Sequence, residues 1–209
     1  EIIWANPEQK NKTPISLVYV HGFTASRGEA FPLCDSLAAE LGANLFYTRL
    51  QGHGISGEAI GTSTFNGWAN DAYEAYRIGE QIGERVVLIA TSMGGALSTW
   101  LMAQEETNDP LALILMSPCY GLYDKEGENT IIQLAQMPWA PQIATWTVGE
   151  YIGEEKKDPK VAHFWTAPYK TEALLPLGQV MGACREIDYS ELDFPLFMIY
   201  SPEDKVIDA

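Results

Sequence analysis

The sequence predicts an α/β protein with a mainly parallel sheet and helices on both of its faces. Three observations lead to this prediction: short β-branched apolar runs, helical patterns between them, and glycine-containing turns directly after several runs. Short, continuously apolar runs are typical of strands that are buried on both faces of a sheet. Because the strands alternate with helices, crossovers must join them, and strands joined in this way pair in parallel.

The individual elements are predicted from apolar runs, helical periodicity and turn residues. The run at 15–20 is a clear strand, and the segment 66–82 carries apolar residues on one side and acids on the other. The predicted strands lie within 1–6 and at 15–20, 44–50, 85–90, 111–116 and 195–200, and the predicted helices lie at 26–41, 66–82, 92–104 and 173–186.

The first helix has recognisable start and stop signals. Ser26 is followed by Glu29 three residues later, which is the spacing of a capping box. Gly42 follows the last apolar residue of the pattern and is a typical helix stop. We therefore expect Ser26 to cap a helix that runs to about Leu41.

A serine lies at the tip of the turn that follows the strand at 85–90. Such a turn exposes the Ser92 hydroxyl beside the N–H groups of the next helix, where a nucleophile that attacks a carbonyl needs donors for the oxyanion. The local pattern A-T-S-M-G differs from G-x-S-x-G at Ala90, the mildest substitution at a position that needs a small side chain. The alternative interpretation is that Thr91 and Ser92 only cap a helix in an unrelated α/β protein.

Polar features also follow two other predicted strands. His21-Gly22-Phe23 comes after the strand at 15–20, and Gly22 allows the sharp turn that would direct N–H groups towards a ligand. Asp204 comes after the last predicted strand. Since open parallel sheets place their sites at the carboxyl ends of the strands, these features can meet Ser92 in space.

Composition excludes several classes of function. The 209 residues carry a net charge of −15, which argues against nucleic acid and anionic membrane surfaces as partners. No apolar run approaches the roughly 20 residues of a membrane span. The three cysteines are odd in number and far apart, so we expect no disulfide, no metal site and a cytoplasmic location. Because the first residue is Glu1, a signal or anchor upstream is left open.

Five motifs occur together in one order along the chain. They are H-G-F-T-A-S at 21–26, G-H-G-I-S at 52–56, Trp68 with Asp71, T-S-M-G-G at 91–95 and S-P-E-D-K-V at 201–206. In this order and spacing the chain resembles the α/β-hydrolase superfamily. It is most similar to the capped serine hydrolases of the carboxylesterase and monoacylglycerol lipase branch.

The resemblance implies a role for each motif. Ser92 would be the nucleophile, and Asp204 would orient a catalytic histidine and stabilise its imidazolium form. The backbone N–H groups of Phe23 and Met93 would form the oxyanion hole. Three further residues would support the site: His21, Gly22 and His53. No cofactor and no metal are implied, and the partner would be a small-molecule ester.

The histidine of this fold follows the acid in sequence, and no histidine follows Asp204. We expect His21 and His53 to be supporting residues and His163 to be a packed or surface residue. The apolar strand at 195–200 would also be a bare edge, which proteins usually cover. We therefore expect the natural chain to continue past Ala209 with one more strand, a loop that carries the histidine, and a final helix.

The resemblance divides the chain into three parts. Residues 1–120 would be the first part of the hydrolase core, 121–188 a helical cap without a clear strand, and 189–209 the continuation of the core. Glu203 is an alternative to Asp204 as the acid, and Cys119 is expected to be an inert buried thiol.

The expected function is hydrolysis of carboxylic esters of small to medium acyl chains through an acyl-serine. Two alternatives stay open. One is another chemistry of the same fold: amide, thioester or carbon–carbon bond hydrolysis, or perhydrolysis. The other is a ligand-binding homologue without catalytic activity.

Overall fold

The computed structural model describes residues 1–104, 110–122, 145–147, 149–204 and 207–208. The strands are β1 (Ile2–Ile3), β2 (Thr13–Val20), β3 (Asn44–Tyr47), β4 (Gly83–Thr91), β5 (Ala112–Met116), β6 (Gly121–Leu122), β7 (Tyr151–Ile152), β8 (Tyr169–Lys170), β9 (Leu196–Ile199) and β10 (Ile207–Asp208). The helices are α1 (Leu33–Leu41), α2 (Gly57–Gly61), α3 (Phe65–Ile82), α4 (Met93–Met102), α5 (Pro159–Ala162) and α6 (Leu174–Arg185).

The central sheet has six strands in the order β1-β3-β2-β4-β5-β9. All neighbouring pairs are parallel except β1 with β3, so the predicted fold class is confirmed. The inner strands β2 and β4 pair from Thr13 with Gly83 to Val20 with Ala90. Residues 16–20 of β2 and 86–90 of β4 are buried, and these segments are almost entirely apolar, as expected for inner strands.

Helices cover the sheet on both faces. Apolar residues of α3, α4 and α6 form one core cluster with one face of the sheet, for example around Trp68, Leu97 and Val180. The opposite face packs against α1 through Cys34 and Ala38. Burying one large apolar side chain stabilises the fold by about 1.5–3 kcal/mol, so both clusters hold the strand ends firmly in place.

The start of the first helix differs from the prediction. Residues 27–29 form a short 3₁₀ turn, and α1 begins only at Leu33. The Ser26 side chain caps no helix and instead donates a hydrogen bond of 3.0 Å to the carbonyl oxygen of Phe164. Glu29 accepts a hydrogen bond from the Gly22 N–H. The prediction of a capping box is wrong, because the side chains of Ser26 and Glu29 bond residues that are distant from the helix start.

The segment 121–188 contains strands that the sequence did not indicate. β7 pairs with β8, and β6 pairs with β10, each over two residues. Strands of this length are too short to leave an alternating pattern. Residues 123–144 and 148, including Trp139, lie outside the described part of the chain. The helix predicted at 173–186 is present as α6.

β9 forms one edge of the six-stranded sheet. Its inner side pairs with β5, and Leu196, Phe197 and Ile199 are 44%, 59% and 51% exposed. The apolar run therefore predicts the strand correctly, but within the described residues these side chains are not buried.

In the part of the chain that the structure describes, no helix is both long and apolar enough to cross a bilayer.

Candidate active site

Ser92 lies at the sharp turn between β4 and α4. Its φ and ψ are +51° and −121°, a conformation that few non-glycine residues adopt. Gly94 follows within the first turn of α4, and a Cβ there would lie 2.4 Å from the carbonyl oxygens of Val20 and His21. The small residues after Ser92 thus allow α4 to begin directly against the end of β2.

The loop after β5 supports this turn. The Ser92 N–H donates a hydrogen bond of 3.0 Å to the Met116 carbonyl oxygen, and the Cys119 N–H donates one of 2.9 Å to the Ser92 carbonyl oxygen. A strained backbone conformation costs about 1–3 kcal/mol and persists only where surrounding contacts determine it. The bonds from both sides supply that constraint.

A second turn, after β2, faces Ser92. A Cβ on Gly22 would lie 3.2 Å from Ser92 Cβ, so the backbone of this turn approaches the serine closely. The Ala25 N–H closes the turn with a bond of 3.2 Å to the Gly22 carbonyl oxygen. The Phe23 N–H has no hydrogen-bond partner among the described residues, and the Met93 N–H begins α4 and has no intrahelical partner.

His21 supports the turn through both of its ring nitrogens. Its Nε2 accepts a hydrogen bond of 3.1 Å from the Leu50 N–H, so its Nδ1 carries the proton and donates to the Gly22 carbonyl oxygen over 2.9 Å. Burial, with a contribution from His53, lowers the pKa of His21 to about 3. The imidazole is therefore neutral and is fully occupied in holding the backbone.

His53 packs beside His21, with ring centroids 4.8 Å apart. Its Nδ1 lies 3.0 Å from the carbonyl oxygen of Gln51, and burial lowers its pKa to about 4. Its Nε2 is buried without a hydrogen-bond partner among the described residues. His163, in contrast, is exposed at the end of α5 and stacks against Phe164.

Asp204 lies after β9, at the same carboxyl edge of the sheet as Ser92. Its Oδ1 accepts a hydrogen bond of 3.2 Å from the Ile207 N–H. Asp204 also adds to the effect of burial in raising the pKa of Cys119 to about 12, which places its charge near the residue that bonds the Ser92 carbonyl. Glu203, the alternative acid, is exposed.

The structure also brings an aromatic group onto the turn after β2. The Phe23 ring contacts Trp68, Tyr169 and His53 edge-on, with centroid distances of 6.1, 5.0 and 6.1 Å. Trp68 is fully buried and donates from Nε1 to the Gln51 carbonyl oxygen over 3.0 Å. The sequence indicated Trp68 through its motif but gave no signal for Tyr169.

The segment 164–170 passes directly over this turn. The Thr166 N–H donates a hydrogen bond of 2.7 Å to the Thr24 carbonyl oxygen, and Thr166 Oγ1 accepts one of 3.2 Å from the Gly54 N–H. Gly28 lies so close to the Phe164 ring that a Cβ would overlap it, at 2.0 Å. These contacts hold the turns after β2 and β3 together, and sequence patterns did not predict them because they join distant segments.

The chain is similar in sequence to known proteins. A family model described as "Serine aminopeptidase, S33" matches residues 12–209. A thermostable monoacylglycerol lipase from a Bacillus species is 25% identical over 211 residues, which cover 97% of this chain and 76% of that protein.

Two solved structures share the fold at lower identity. A structure of the metagenome-derived lipolytic enzymes LipS and LipT has a TM-score of 0.74 at 22% identity, covering 100% of this chain and 78% of that chain. A soluble variant of monoglyceride lipase from Saccharomyces cerevisiae has a TM-score of 0.69 at 16% identity, and the match covers 99% of this chain and 74% of that chain. The resemblance to the α/β-hydrolase superfamily is confirmed. Because the family model spans nearly the whole sequence, the chain belongs to the serine aminopeptidase, S33, family and is an enzyme of the α/β-hydrolase fold.

Proposed function

We propose that this enzyme hydrolyses carboxylic esters of small to medium acyl chains, including monoacylglycerols, through an acyl intermediate on Ser92. The observation that carries the proposal is the close approach of two turns, one presenting Ser92 at a φ of +51° and the other presenting the Phe23 N–H. Similarity to a monoacylglycerol lipase supports the choice of ester over other substrates.

In the proposed first half-reaction, Ser92 Oγ attacks the ester carbonyl carbon while a general base removes its proton. The carbonyl oxygen becomes an oxyanion and is bound by the N–H groups of Phe23 and Met93, each worth about 3 kcal/mol in the transition state. The bond to the alcohol then breaks, and the alcohol leaves with the proton that the base had accepted.

In the second half-reaction, the same base removes a proton from water, and the resulting nucleophile attacks the acyl-Ser92 carbonyl. The intermediate collapses to the carboxylic acid as its bond to Ser92 Oγ breaks, and the base returns the proton to Ser92 Oγ. We assign the general base to a histidine oriented by Asp204, as the resemblance to the α/β-hydrolase superfamily implies. His21 and His53 are buried and bonded to the backbone, and His163 is exposed beside Phe164.

We further propose that residues within 121–188 form a cap over the acyl site. The packing of segment 164–170 on the turns after β2 and β3 supports this assignment. The net charge of −15 also disfavours strongly anionic substrates and is compatible with a neutral acyl ester.

The proposal is tested in the natural full-length protein with a fluorophosphonate probe and a chromogenic p-nitrophenyl ester. The wild-type protein should be labelled at Ser92 and should turn over the ester. Ser92→Ala should abolish both, while Ser36→Ala, an exposed serine on α1, should change neither. Ester turnover that persists in Ser92→Ala would rule out the assigned nucleophile.

Amide hydrolysis is the second candidate, because the family description names a serine aminopeptidase. The same acyl-serine route would release an amine in place of an alcohol. A matched pair of p-nitrophenyl ester and p-nitroanilide with the same acyl group distinguishes the two, and we expect the ester to have the higher kcat/KM. Binding of both without any turnover would indicate a ligand-binding homologue.

A further inference from the structure

A chain of hydrogen bonds joins the ends of β2 and β4. The Gly22 N–H donates to Glu29 Oε2 over 2.7 Å, and the Tyr19 hydroxyl donates to the same oxygen over 2.8 Å. The Tyr19 hydroxyl also lies 2.9 Å from Thr91 Oγ1. This chain of hydrogen bonds therefore connects Thr91 with Gly22 through the Tyr19 hydroxyl and the Glu29 carboxylate.

Each of the two residues at the ends of these hydrogen bonds lies one position before a group that the proposed reaction uses. Thr91 precedes Ser92, and Gly22 precedes Phe23. A glycine has wide conformational freedom, so the direction of the following N–H depends on how the glycine backbone is restrained. The Gly22 N–H is restrained by the carboxylate of Glu29.

Of the two side chains that link Thr91 with Gly22, that of Tyr19 is fully buried and that of Glu29 is partly buried. Tyr19 is fully buried in the core that contains β2 and β4. Burial raises the pKa of Glu29, while its hydrogen bonds to Gly22 and Tyr19 act in the opposite direction. A carboxylate is costly to bury unless it is hydrogen-bonded, so this one is held by its two donors.

The carboxylate and Ser92 both lie against the backbone of Gly22. The point that a Cβ on Gly22 would occupy is 2.8 Å from Glu29 Oε1 and 3.2 Å from Ser92 Cβ. Glu29 has no helix-capping role, because α1 begins at Leu33. The need to start a helix therefore does not explain this acid.

We propose that Glu29 is a positioning residue that, together with Tyr19, sets the spacing between the Ser92 turn and the turn that presents the Phe23 N–H. The inference rests on the proposed function, because it assigns a purpose to that spacing. Glu29 does not touch the substrate. It acts by directing the Phe23 N–H, the oxyanion donor. Misplacing a group of the site by about 1 Å can lower the rate roughly 10²-fold.

Three variants of the full-length protein test the inference. Glu29→Leu removes the acceptor, Glu29→Gln keeps a neutral oxygen acceptor of the same shape, and Tyr19→Phe removes one donor. The readouts are kcat and KM for a p-nitrophenyl ester and the Kd of a trifluoromethyl ketone, which mimics the tetrahedral intermediate.

We expect Glu29→Leu to lower kcat by about 10- to 100-fold with KM changed by less than about twofold. The ketone should lose affinity by a similar factor, because both kcat and ketone binding depend on the oxyanion donors. Glu29→Gln keeps an oxygen acceptor and should therefore retain most of the kcat and ketone affinity that Glu29→Leu loses. The effects of Tyr19→Phe and Glu29→Gln should be less than multiplicative in the double variant, since both act through one oxygen.

A second tyrosine–carboxylate pair in the same core provides the control. The Tyr47 hydroxyl donates to the carboxylate of Asp35, and its ring packs edge-on against Tyr19 at 5.8 Å. Tyr47→Phe removes a bond of the same kind at β3, away from the Ser92 turn. We expect it to change thermal stability without changing kcat or the affinity of the ketone.

The outcomes separate the two proposals. If the wild-type protein hydrolyses the ester but the Glu29 and Tyr19 variants behave like Tyr47→Phe, the positioning role is wrong and the proposed function stands. If the wild-type protein is neither labelled at Ser92 nor active, both are wrong. If Glu29→Leu fails to fold, the kcat and ketone affinity of Tyr19→Phe test the positioning role, because this variant removes only one hydroxyl group.

Discussion

Ser92 Cβ lies 3.2 Å from the point that a Cβ on Gly22 would occupy. The two residues follow neighbouring parallel strands, β2 and β4, and face each other because both strands end at the same edge of the sheet. This closeness brings the turn that carries Ser92 against the turn that carries Gly22 and Phe23.

Adding a methyl group at Gly22 should therefore impair the proposed catalysis. Gly22→Ala would crowd Ser92 Cβ and Glu29 Oε1, which is 2.8 Å away, and would shift the turn. We expect kcat for an ester to fall by about 10- to 100-fold. Gly42→Ala is the control: its Cβ would contact nothing, but its φ of +59° should cost about 1 kcal/mol in stability. Equal activity of the two variants would contradict the prediction.

The two neighbouring acids after β9 should differ sharply in importance. Asp204→Asn should lower kcat by about 10⁴-fold, because in the proposed mechanism this acid holds the catalytic histidine in its working tautomer. Glu203→Gln should leave kcat unchanged, since Glu203 is exposed. Steady-state kinetics of the full-length protein check both variants. The reverse pattern would make Glu203 the acid of the site.

Folding stability should fall as the pH drops below about 6.5. His21 and His53 have pKa values of about 3 and about 4 in the folded protein, below the ordinary value of 6.5. Between these values the unfolded chain binds protons that the folded chain does not, so each histidine removes up to about 1.4 kcal/mol per pH unit. His53→Gln should flatten the dependence measured by urea unfolding, whereas the exposed His163→Gln should not.

The three cysteines should be unreactive in the folded protein. Burial raises the pKa values of Cys34, Cys119 and Cys184 to about 12, and only the thiolate form is a good nucleophile. Iodoacetamide near pH 8 should modify these thiols only after unfolding in guanidinium, as peptide mass spectrometry can show. Rapid alkylation of Cys119 in the native state would mean that the loop behind Ser92 opens readily.

Local sequence predicted the parts of the site that depend on one strand and the turn after it. The apolar runs before His21 and Ser92 gave the strands, and the glycines after them indicated where the chain turns sharply. The order of strands and helices then implied that these turns lie at one edge of the sheet. In the structure these two turns follow the neighbouring parallel strands β2 and β4.

The same local reasoning was wrong for Glu29. Its spacing from Ser26 suits a capping box, and no sequence pattern distinguishes that arrangement from the observed one. The carboxylate bonds Gly22 and Tyr19 because folding brings β2 and the loop after it together. The contact of Thr166 with Thr24 joins segments even farther apart in the chain.

The sequence by itself determined where the inner strands β2 and β4 lie, where the chain turns after them and which serine is presented at a turn. These properties depend on residues that are close in the chain, through side-chain period, β-branching and glycine. Only the tertiary structure decided what surrounds the serine: the Tyr19–Glu29 pair, the ring of Tyr169 over Phe23, and the Cys119 N–H behind Ser92. Such contacts depend on how distant segments pack together, and packing is a property of the whole chain.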